Sequence, residues 1–474
     1  MSSVLERLGA ATAREKAVGT RILLVGLVAC VVVLGGWLVY AFSHPESTTL
    51  YPVDLGVYRN GGLIVRHVSP PYDGHQYALY DWPANNEALK FTYTPFAALF
   101  FAVVSFVPWS VLPRLTQVAN LIFLFIATWY TMDALGYRDR RVRLGGALLG
   151  VAVGLLTEPV YRTMYLGQIN LLLMAAIIWD LRQPDGRRWK GVATGLAAAI
   201  KLTPLIFIPY LILTRKFKTA AVVTVTFLAT IVLGFVLLRH DSGDYWLHGL
   251  FISDGRTGFV GWTGNQSLRA LTTRLAGSIH AGTVPWVVLA LVATVVGLWA
   301  AAVLDRAGHM MLGLLTAALV GLLDSPISWD HHWVWVVPGL MVAGHYAVKA
   351  WQAGRRRVSV GCAALVAALL LIFAPWPGSL FGVPTTGAGD FTKGLLWVGP
   401  YTPVKVYVAI GDQPWFKEYH WTGREILAGN AYILAGVALL ILLAAVAVRS
   451  RRQLRRADSA AKPQTSTDAV ARPA

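Results

Sequence analysis

Apolar runs, each about as long as a helix, recur through this 474-residue chain. The interior of a bilayer offers no water to backbone N–H and C=O groups, so runs of this length are stable there only as helices or closed barrels. The first covers roughly residues 22–42. Others lie near 93–109, 115–135, 144–158, 168–181, 191–214, 219–238, 285–304, 310–324, 333–350, 358–376 and 426–448. They predict an all-α polytopic membrane protein of about twelve transmembrane helices. At 56% hydrophobic and 14% charged residues, the composition leaves no stretch for a separate soluble domain. Residues 1–456 read as one integral membrane domain, and 457–474 as a disordered cytoplasmic tail.

The net charge of +17 raises the question of nucleic acid, and its distribution answers it. Basic residues gather in short clusters between apolar runs: Arg138-Asp-Arg-Arg-Val-Arg143, Arg187-Arg188, Arg215-Lys216, Arg355-Arg356-Arg357 and Arg451-Arg452. Such clusters mark cytoplasmic loops that meet anionic lipid, so the predicted partner is the bilayer and not a nucleic acid. Three long polar loops, about 43–90, 239–284 and 377–424, are then extracytoplasmic. Strict alternation from a cytoplasmic N-terminus conflicts with this at Arg138–Arg143, which it puts outside. A half-helix or re-entrant pair, within 91–135 or in the Pro-broken 191–214 run, would remove the conflict. Cys30 and Cys362 both sit in apolar runs, which argues against a disulfide or metal site. The sequence shows no convincing internal repeat.

Polar residues break the apolar pattern in five places. Tyr51-Pro-Val-Asp-Leu-Gly-Val-Tyr-Arg-Asn60 sets Asp54 beside Tyr58 and Arg59; Asp54 is either a general base or the cap of a loop helix. The same loop carries Asp73, His75, Tyr77 and Asp81, and closes at Phe91-Thr-Tyr-Thr-Pro-Phe96, where Tyr93 precedes a Pro that suits the first turn of a helix. In Glu158-Pro-Val-Tyr-Arg-Thr-Met-Tyr-Leu-Gly-Gln-Ile-Asn170, Arg162 can pair with a phosphate, while Gln168 and Asn170 can bond sugar hydroxyls or cap a helix. Lys201 lies well inside an apolar run before Pro204, where an ammonium must pair or face an aqueous cavity. In Gly258-Phe-Val-Gly-Trp-Thr-Gly-Asn-Gln-Ser267, Trp262, Asn265 and Gln266 suit sugar stacking and hydrogen bonding, or a Gly-rich turn before a capped helix. The fifth break, Leu323-Asp-Ser-Pro-Ile-Ser-Trp-Asp-His-His-Trp-Val334, holds Trp329 and adjacent His331 and His332. It lacks the second ligand pair a metal needs, and a histidine that bonds a phosphate or orients an acid fits better.

In order and spacing, Val-Asp54-Leu-x-Val-Tyr58, Phe91-Thr-Tyr-Thr-Pro95-Phe, Gly167-Gln-Ile-Asn170, Ile200-Lys-Leu-Thr-Pro204, Gly264-Asn-Gln-Ser267 and Ser325-Pro-Ile-Ser-Trp-Asp-His-His332 resemble the mycobacterial and corynebacterial polyprenyl-phosphomannose-dependent α-(1,2)-mannosyltransferases of the GT-C superfamily. Tyr93-Thr-Pro95 departs from the Tyr-Pro-Pro expected there, which bears on local helix geometry. The resemblance implies a GT-C bundle in the plasma membrane with its active site on the extracytoplasmic side. The donor would be polyprenyl-phosphate-mannose and the acceptor a mannosylated phosphatidylinositol or lipoglycan. Asp54 would take the acceptor's proton in an inverting transfer. Lys201, Arg162 and one of His331 and His332 would stabilise the leaving phosphate. Tyr58, Arg59, Tyr93, Gln168, Asn170, Trp262, Asn265, Gln266 and Trp329 would line the substrates. No cofactor is implied. Another lipid-linked sugar, or transport of a polar lipid without chemistry, are the competing readings.

Overall fold

The computed structural model describes residues 2–43, 52–67, 78–81, 89–253, 258–375, 395–398, 419, 421 and 423–461. Asp73, His75 and Tyr77, and most of the 377–424 loop, lie outside the described residues; Asp81 is an exposed turn residue. The described chain is helical, with a single isolated antiparallel bridge between Asn265 and Trp329. In order, the helices are α1 (Ser2–Ser43), α2 (Val53–Val65), α3 (Pro95–Val104), α4 (Leu112–Ala134), α5 (Arg140–Leu155), α6 (Glu158–Leu166), α7 (Asn170–Leu181), α8 (Val192–Ile200) and α9 (Phe207–Leu213). They continue as α10 (Phe217–Leu237), α11 (Arg239–Trp246), α12 (Leu268–Ala276), α13 (Ile279–Arg306), α14 (Met310–Asp324), α15 (Val336–Gln352), α16 (Arg356–Phe373), α17 (Arg424–Gly429) and α18 (Ala431–Ala461). The helix of α18 extends to Ala461, so the first part of the tail expected to be disordered is helical; the rest lies outside the described residues.

Among the described residues, six helices are long and apolar enough to cross a membrane: Lys16–Val39, Leu112–Ala134, Phe217–Leu237, Ile279–Arg306, Arg356–Phe373 and Ala431–Arg455. A seventh is added if α5 and α6, bent by 75° at their junction, make one broken span. The chain is a multi-pass membrane protein, but the expected count of about twelve spans is not reached by length and composition. Several apolar runs are instead short or interrupted helices: α3, α7, the Thr203–Leu213 segment and α14 are each 10–17 residues. The 191–214 run stops at Ile200, passes through extended backbone at Lys201, and resumes in a 3-10 turn at Thr203–Ile206.

α3 resolves the topological conflict at Arg138–Arg143. Its 10 residues span about 15 Å, half the hydrocarbon thickness. α2 and α3 pack side by side and stay at one end of the bundle, so α4 makes the return crossing. Arg141 then donates to Thr20 of α1 (3.1 Å), and the Arg-rich start of α5 shares an end with the start of the first apolar run. The same end carries Arg143 and Arg182 on Asp133, Tyr137 on His345, Tyr346 on His309, Lys216 on Asp305 and Arg306 on the Leu213 carbonyl. Asp139, the acid within the Arg cluster, caps α5 through the Arg141 and Val142 N–H groups (both 2.9 Å). The polar breaks singled out in the sequence lie at the opposite end. Between the two ends runs an apolar core built on Leu124, Leu171, Met174, Ile178, Leu211, Leu314 and Val337.

α1 reaches this core through a backbone contact with α5. A Cβ at Gly26 would lie 2.2 Å from the Gly145 carbonyl oxygen, and one at Gly145 would lie 2.5 Å from that of Ile22. Close helix approach over small residues is how membrane helices gain packing without a hydrophobic driving force. Gly145→Ala is therefore expected to cost about 1–3 kcal/mol, read as a lower thermal midpoint in detergent. Gly35→Ala, on α1 but facing open space, should leave the midpoint unchanged.

Candidate active site

The site is assembled where four helices end. α8 stops before Lys201, α7 begins at Asn170, α14 stops before Ser325-Pro326, and a 3-10 turn over Asp330–Trp335 leads into α15. Gly167 ends α6 at φ +70°, and a Cβ there would meet the Leu55 side chain at 2.6 Å, so α2 docks directly on the α6–α7 corner.

Lys201 is the centre of the cluster. Its Nζ donates to Asn170 Oδ1 (3.0 Å) and meets His332 Nε2 at 2.8 Å. With Lys201 protonated, its ammonium donates to Nε2 of His332 and leaves the ring proton on Nδ1. Burial and the Lys201 charge push His332 well below the ordinary histidine value, in keeping with a neutral ring. Lys201 also lies 5.9 Å from the centre of the Tyr93 ring. Asn170, Lys201 and His332 form the polar end of a cavity of about 50 Å³ whose other walls are apolar: Leu173, Met174 and Ile177 of α7, Ile206 and Phe207, Ala318 and Leu322 of α14, and Trp335.

Asp54 approaches from α2. It sits in the first turn, half-buried, where the helix dipole favours a carboxylate. The N-cap position belongs to Pro52, and Asp54 makes no hydrogen bond among the described residues; its oxygens are not spent on a cap. Its charge acts on Tyr58, Tyr93 and Lys201. Burial, with Asp54 adding to it, pushes both tyrosine hydroxyls up, so both are neutral hydroxyl groups. Tyr58 donates to Gln168 Oε1 (2.7 Å), and its oxygen lies 2.9 Å from that of Tyr93. Arg59 is half-buried, with its Nε lacking a partner.

Arg162 has its charge committed. Its Nε donates to Asp330 Oδ2 at 3.0 Å, and the fully buried Glu158, four residues earlier, acts on it from the same helix. Burial works against ionising Asp330, but Arg162 and His331 beside it hold its carboxyl well below the usual carboxylate range. His331 is turned away from Lys201: both its backbone N–H and its Nδ1 meet Asp330 Oδ1 (2.8 and 3.0 Å). Its carbonyl accepts from Asn170 Nδ2 (2.9 Å) and Thr163 Oγ1 (3.0 Å). The adjacent histidines therefore have different settings, and only His332 lines the cavity.

Asn265 and Gln266 are fully buried and bonded to backbone. Asn265 Nδ2 donates to Val260 O and Pro326 O, and its Oδ1 accepts from Ser328 N. Gln266 Nε2 donates to Thr263 O and Gly429 O. In this structure they fasten the segment leading to Asp330, whereas the sequence suggested sugar contacts. Trp262, 41% exposed, meets Trp329 edge to face at 5.4 Å. Thr94, where the resemblance expected a proline, caps α3 through Ala97 N (3.1 Å) and donates to the Ala199 carbonyl, tying α3 to the last turn of α8. Among the described residues no group of three His, Cys, Asp or Glu side chains is gathered as a metal ion would need.

Two residues of the cluster escaped the sequence reading of roles. Glu158 stood in the Glu158–Asn170 break without a role, and Tyr432 lies in the last apolar run. Tyr432 donates to Glu158 Oε2 at 2.6 Å, so α18 is tied into the site. No pattern around Tyr432 could have signalled this.

Residues 91–326 match the family model of glycosyltransferase family 87. A Mycobacterium tuberculosis polyprenol-phosphate-mannose-dependent α-(1-2)-phosphatidylinositol pentamannoside mannosyltransferase is 36% identical over 310 residues, covering 64% of this chain and 68% of its own. The chain belongs to glycosyltransferase family 87. A second M. tuberculosis relative, a polyprenol-phosphate-mannose-dependent α-(1-2)-phosphatidylinositol mannoside mannosyltransferase, is 31% identical over 345 residues, or 70% of this chain and 78% of its own. A pentamannoside mannosyltransferase of Mycolicibacterium smegmatis is 31% identical over 366 residues, or 76% and 84%. No solved structure matches. The stretch matched by the family 87 model includes Tyr93, Arg162, Gln168, Asn170 and Lys201; Asp54, His331 and His332 fall outside it.

Arg162 is the neutralising charge for two buried acids in this glycosyltransferase. Arg162→Gln is expected to cost about 3–5 kcal/mol, seen as loss of folded protein on size-exclusion chromatography. Arg162→Gln with Asp330→Asn should recover part of that yield, because one uncompensated carboxylate is removed.

Proposed function

We propose that the chain is an inverting mannosyltransferase that moves mannose from polyprenyl-phosphate-mannose to a hydroxyl of a mannosylated phosphatidylinositol or related lipoglycan, forming an α-(1,2) linkage. The names of the family 87 relatives supply the donor and acceptor class. The observation that supports the reading is the Lys201–His332 pair at the polar end of an apolar cavity, with the Asp54 carboxylate near enough for its charge to act on Lys201.

In this reading Asp54 accepts the proton of the acceptor hydroxyl. The oxygen attacks the anomeric carbon from the face opposite the phosphate. The bond from that carbon to the phosphate oxygen breaks, and its electron pair leaves with the polyprenyl phosphate. A β-linked donor gives an α-linked product. The developing negative charge is met by the Lys201 ammonium and the Nδ1–H of His332, donors fixed in advance by their own hydrogen bonds. Asn170 acts by positioning: one end of its amide holds Lys201 and the other the His331 carbonyl. Arg162 and His331 act through Asp330, which fixes the turn carrying His332. Tyr58, Tyr93 and Gln168 line the approach to Asp54, and Trp262 with Trp329 offers an aromatic face for a sugar. The apolar walls beyond Lys201 suit the start of the polyprenyl chain.

The basic clusters gather at the end opposite the site, and the positive-inside rule then supports a reading with that end in the cytoplasm and the chemistry on the extracytoplasmic side of the plasma membrane. The finer GT-C architecture, with about twelve membrane-embedded segments in a single domain, fits if the short and broken helices count as membrane-embedded.

Purified Asp54→Asn, supplied with polyprenyl-phosphate-mannose and a phosphatidylinositol mannoside, should lose transfer by about 10²–10⁴-fold and still bind the donor. Lys201→Gln should lower turnover and weaken donor binding. Normal transfer by Asp54→Asn would remove the base from this scheme.

A further inference from the structure

α2 carries more cationic chemistry than the reaction above uses. Arg59 and Arg66 are seven residues apart, two helical turns, and so lie on one face of α2, the helix that begins with Asp54. Arg66 lies with its Cζ 3.5 Å from the centre of the Phe106 ring, and its Nη1 donates to Ser105 Oγ at 3.0 Å. That hydrogen bond uses one of five guanidinium N–H groups. Neither arginine pairs with a carboxylate among the described residues, and the Arg59 Nε is buried with no partner at all. Phe106, which Arg66 covers, and Trp109, which lies beside Gly56 of α2, are 69% and 42% exposed, an apolar edge suited to lipid.

Unpaired guanidinium groups beside such an edge are suited to an anion at the headgroup level of the bilayer. Their planar fork matches a phosphate diester better than a point charge does. Resting on the proposed function, we infer that the Arg59–Arg66 face of α2 seats the phosphodiester of the acceptor lipid, leaving its acyl chains against the Phe106 and Trp109 edge and its sugars running back along α2 to Asp54. The twelve residues from Asp54 to Arg66 correspond to about 18 Å of helix. The helix thus acts as a ruler, and a hydroxyl several sugars away from the phosphate reaches the base where one on the inositol does not.

The test compares two acceptors on the full-length protein in nanodiscs: a phosphatidylinositol mannoside, and an alkyl glycoside with the same mannan but no phosphate. Arg66→Gln should raise the KM for the phosphodiester acceptor about tenfold, leaving its kcat and the KM of the phosphate-free acceptor unchanged. Arg66→Lys should recover part of the affinity. A KM shift of equal size for both acceptors, or for neither, overturns the assignment. If Arg66→Gln does not fold, the wild-type protein decides by salt. The KM of the phosphodiester acceptor alone should rise with ionic strength, and a flat response overturns the site. Phosphatidylglycerol that raises the KM of both acceptors alike would assign the face to bulk anionic lipid instead. Wild-type protein that mannosylates neither acceptor would fail the proposed function itself, a result seen without any variant.

Discussion

An ammonium inside an apolar bundle must be given acceptors, and the site end of this molecule is organised around doing that for Lys201. Isolated at that depth the charge would be costly. Two acceptors meet it, Asn170 Oδ1 and His332 Nε2, and each comes from a different helix junction. To bring them within 3.0 Å, α8 has to stop at Ile200, α7 has to start at Asn170, and the α14–α15 connection has to fold inward as a 3-10 turn. The helix ends that look like interruptions of a membrane span are thus a consequence of burying one cation. They also supply a polar pocket where three otherwise apolar helices converge.

The second tier of the cluster balances charge. Arg162 lies against Asp330 and Glu158, so this trio carries a net negative formal charge, and Tyr432 adds a donor to Glu158. A group so placed is poorly suited to receive a phosphate and well suited to hold a turn rigid. The cation left for a phosphate is Lys201, with the His332 Nδ1–H next to it. The family resemblance gave Arg162, Lys201 and one of the two histidines the same role at the leaving phosphate; the pairing pattern distinguishes Arg162, bound to buried acids, from Lys201, which lines the cavity.

Legibility in the sequence followed the range of the interactions. The all-helical membrane class, the basic end and the exceptional position of Lys201 could be read locally, because hydropathy and charge clusters act over a few residues. The helix count could not, since runs such as 93–109 and 310–324 read as apolar whether or not they are long enough to cross, and the Pro-broken 191–214 run left open where it breaks. The site's composition was partly visible: Asn170, Lys201 and His332 were singled out and are in contact, and the charge of Asp54, also singled out, acts on Lys201. For Asn265 and Gln266 the sequence left two readings open, because an amide beside a Gly-rich turn looks the same whether it bonds a sugar or a distant carbonyl; in the fold both amide nitrogens bond backbone carbonyls. Tyr432, 274 residues from Glu158, is the extreme case. A tyrosine in an apolar run has no sequence signature for its partner.

The division between α1 and α2–α3 carries the last consequence. A GT-C-like scheme needs a catalytic carboxylate at the bundle end and a path for two lipids to reach it. By failing to cross, α3 keeps α2 at that end, and Thr94 ties its first turn to the last turn of α8 beside Lys201. The carboxylate on α2 and the cation after α8 are therefore held in register by the Thr94 bond of α3 together with the docking of Leu55 and Tyr58 on the α6–α7 corner. The apolar cavity opens on the Lys201 side, between α7 and α14. The Arg59–Arg66 face lies further along α2, past Asp54. Donor and acceptor can then approach from different sides of the same cluster, which in-line displacement requires, because the attacking hydroxyl and the departing phosphate must lie on opposite faces of the sugar.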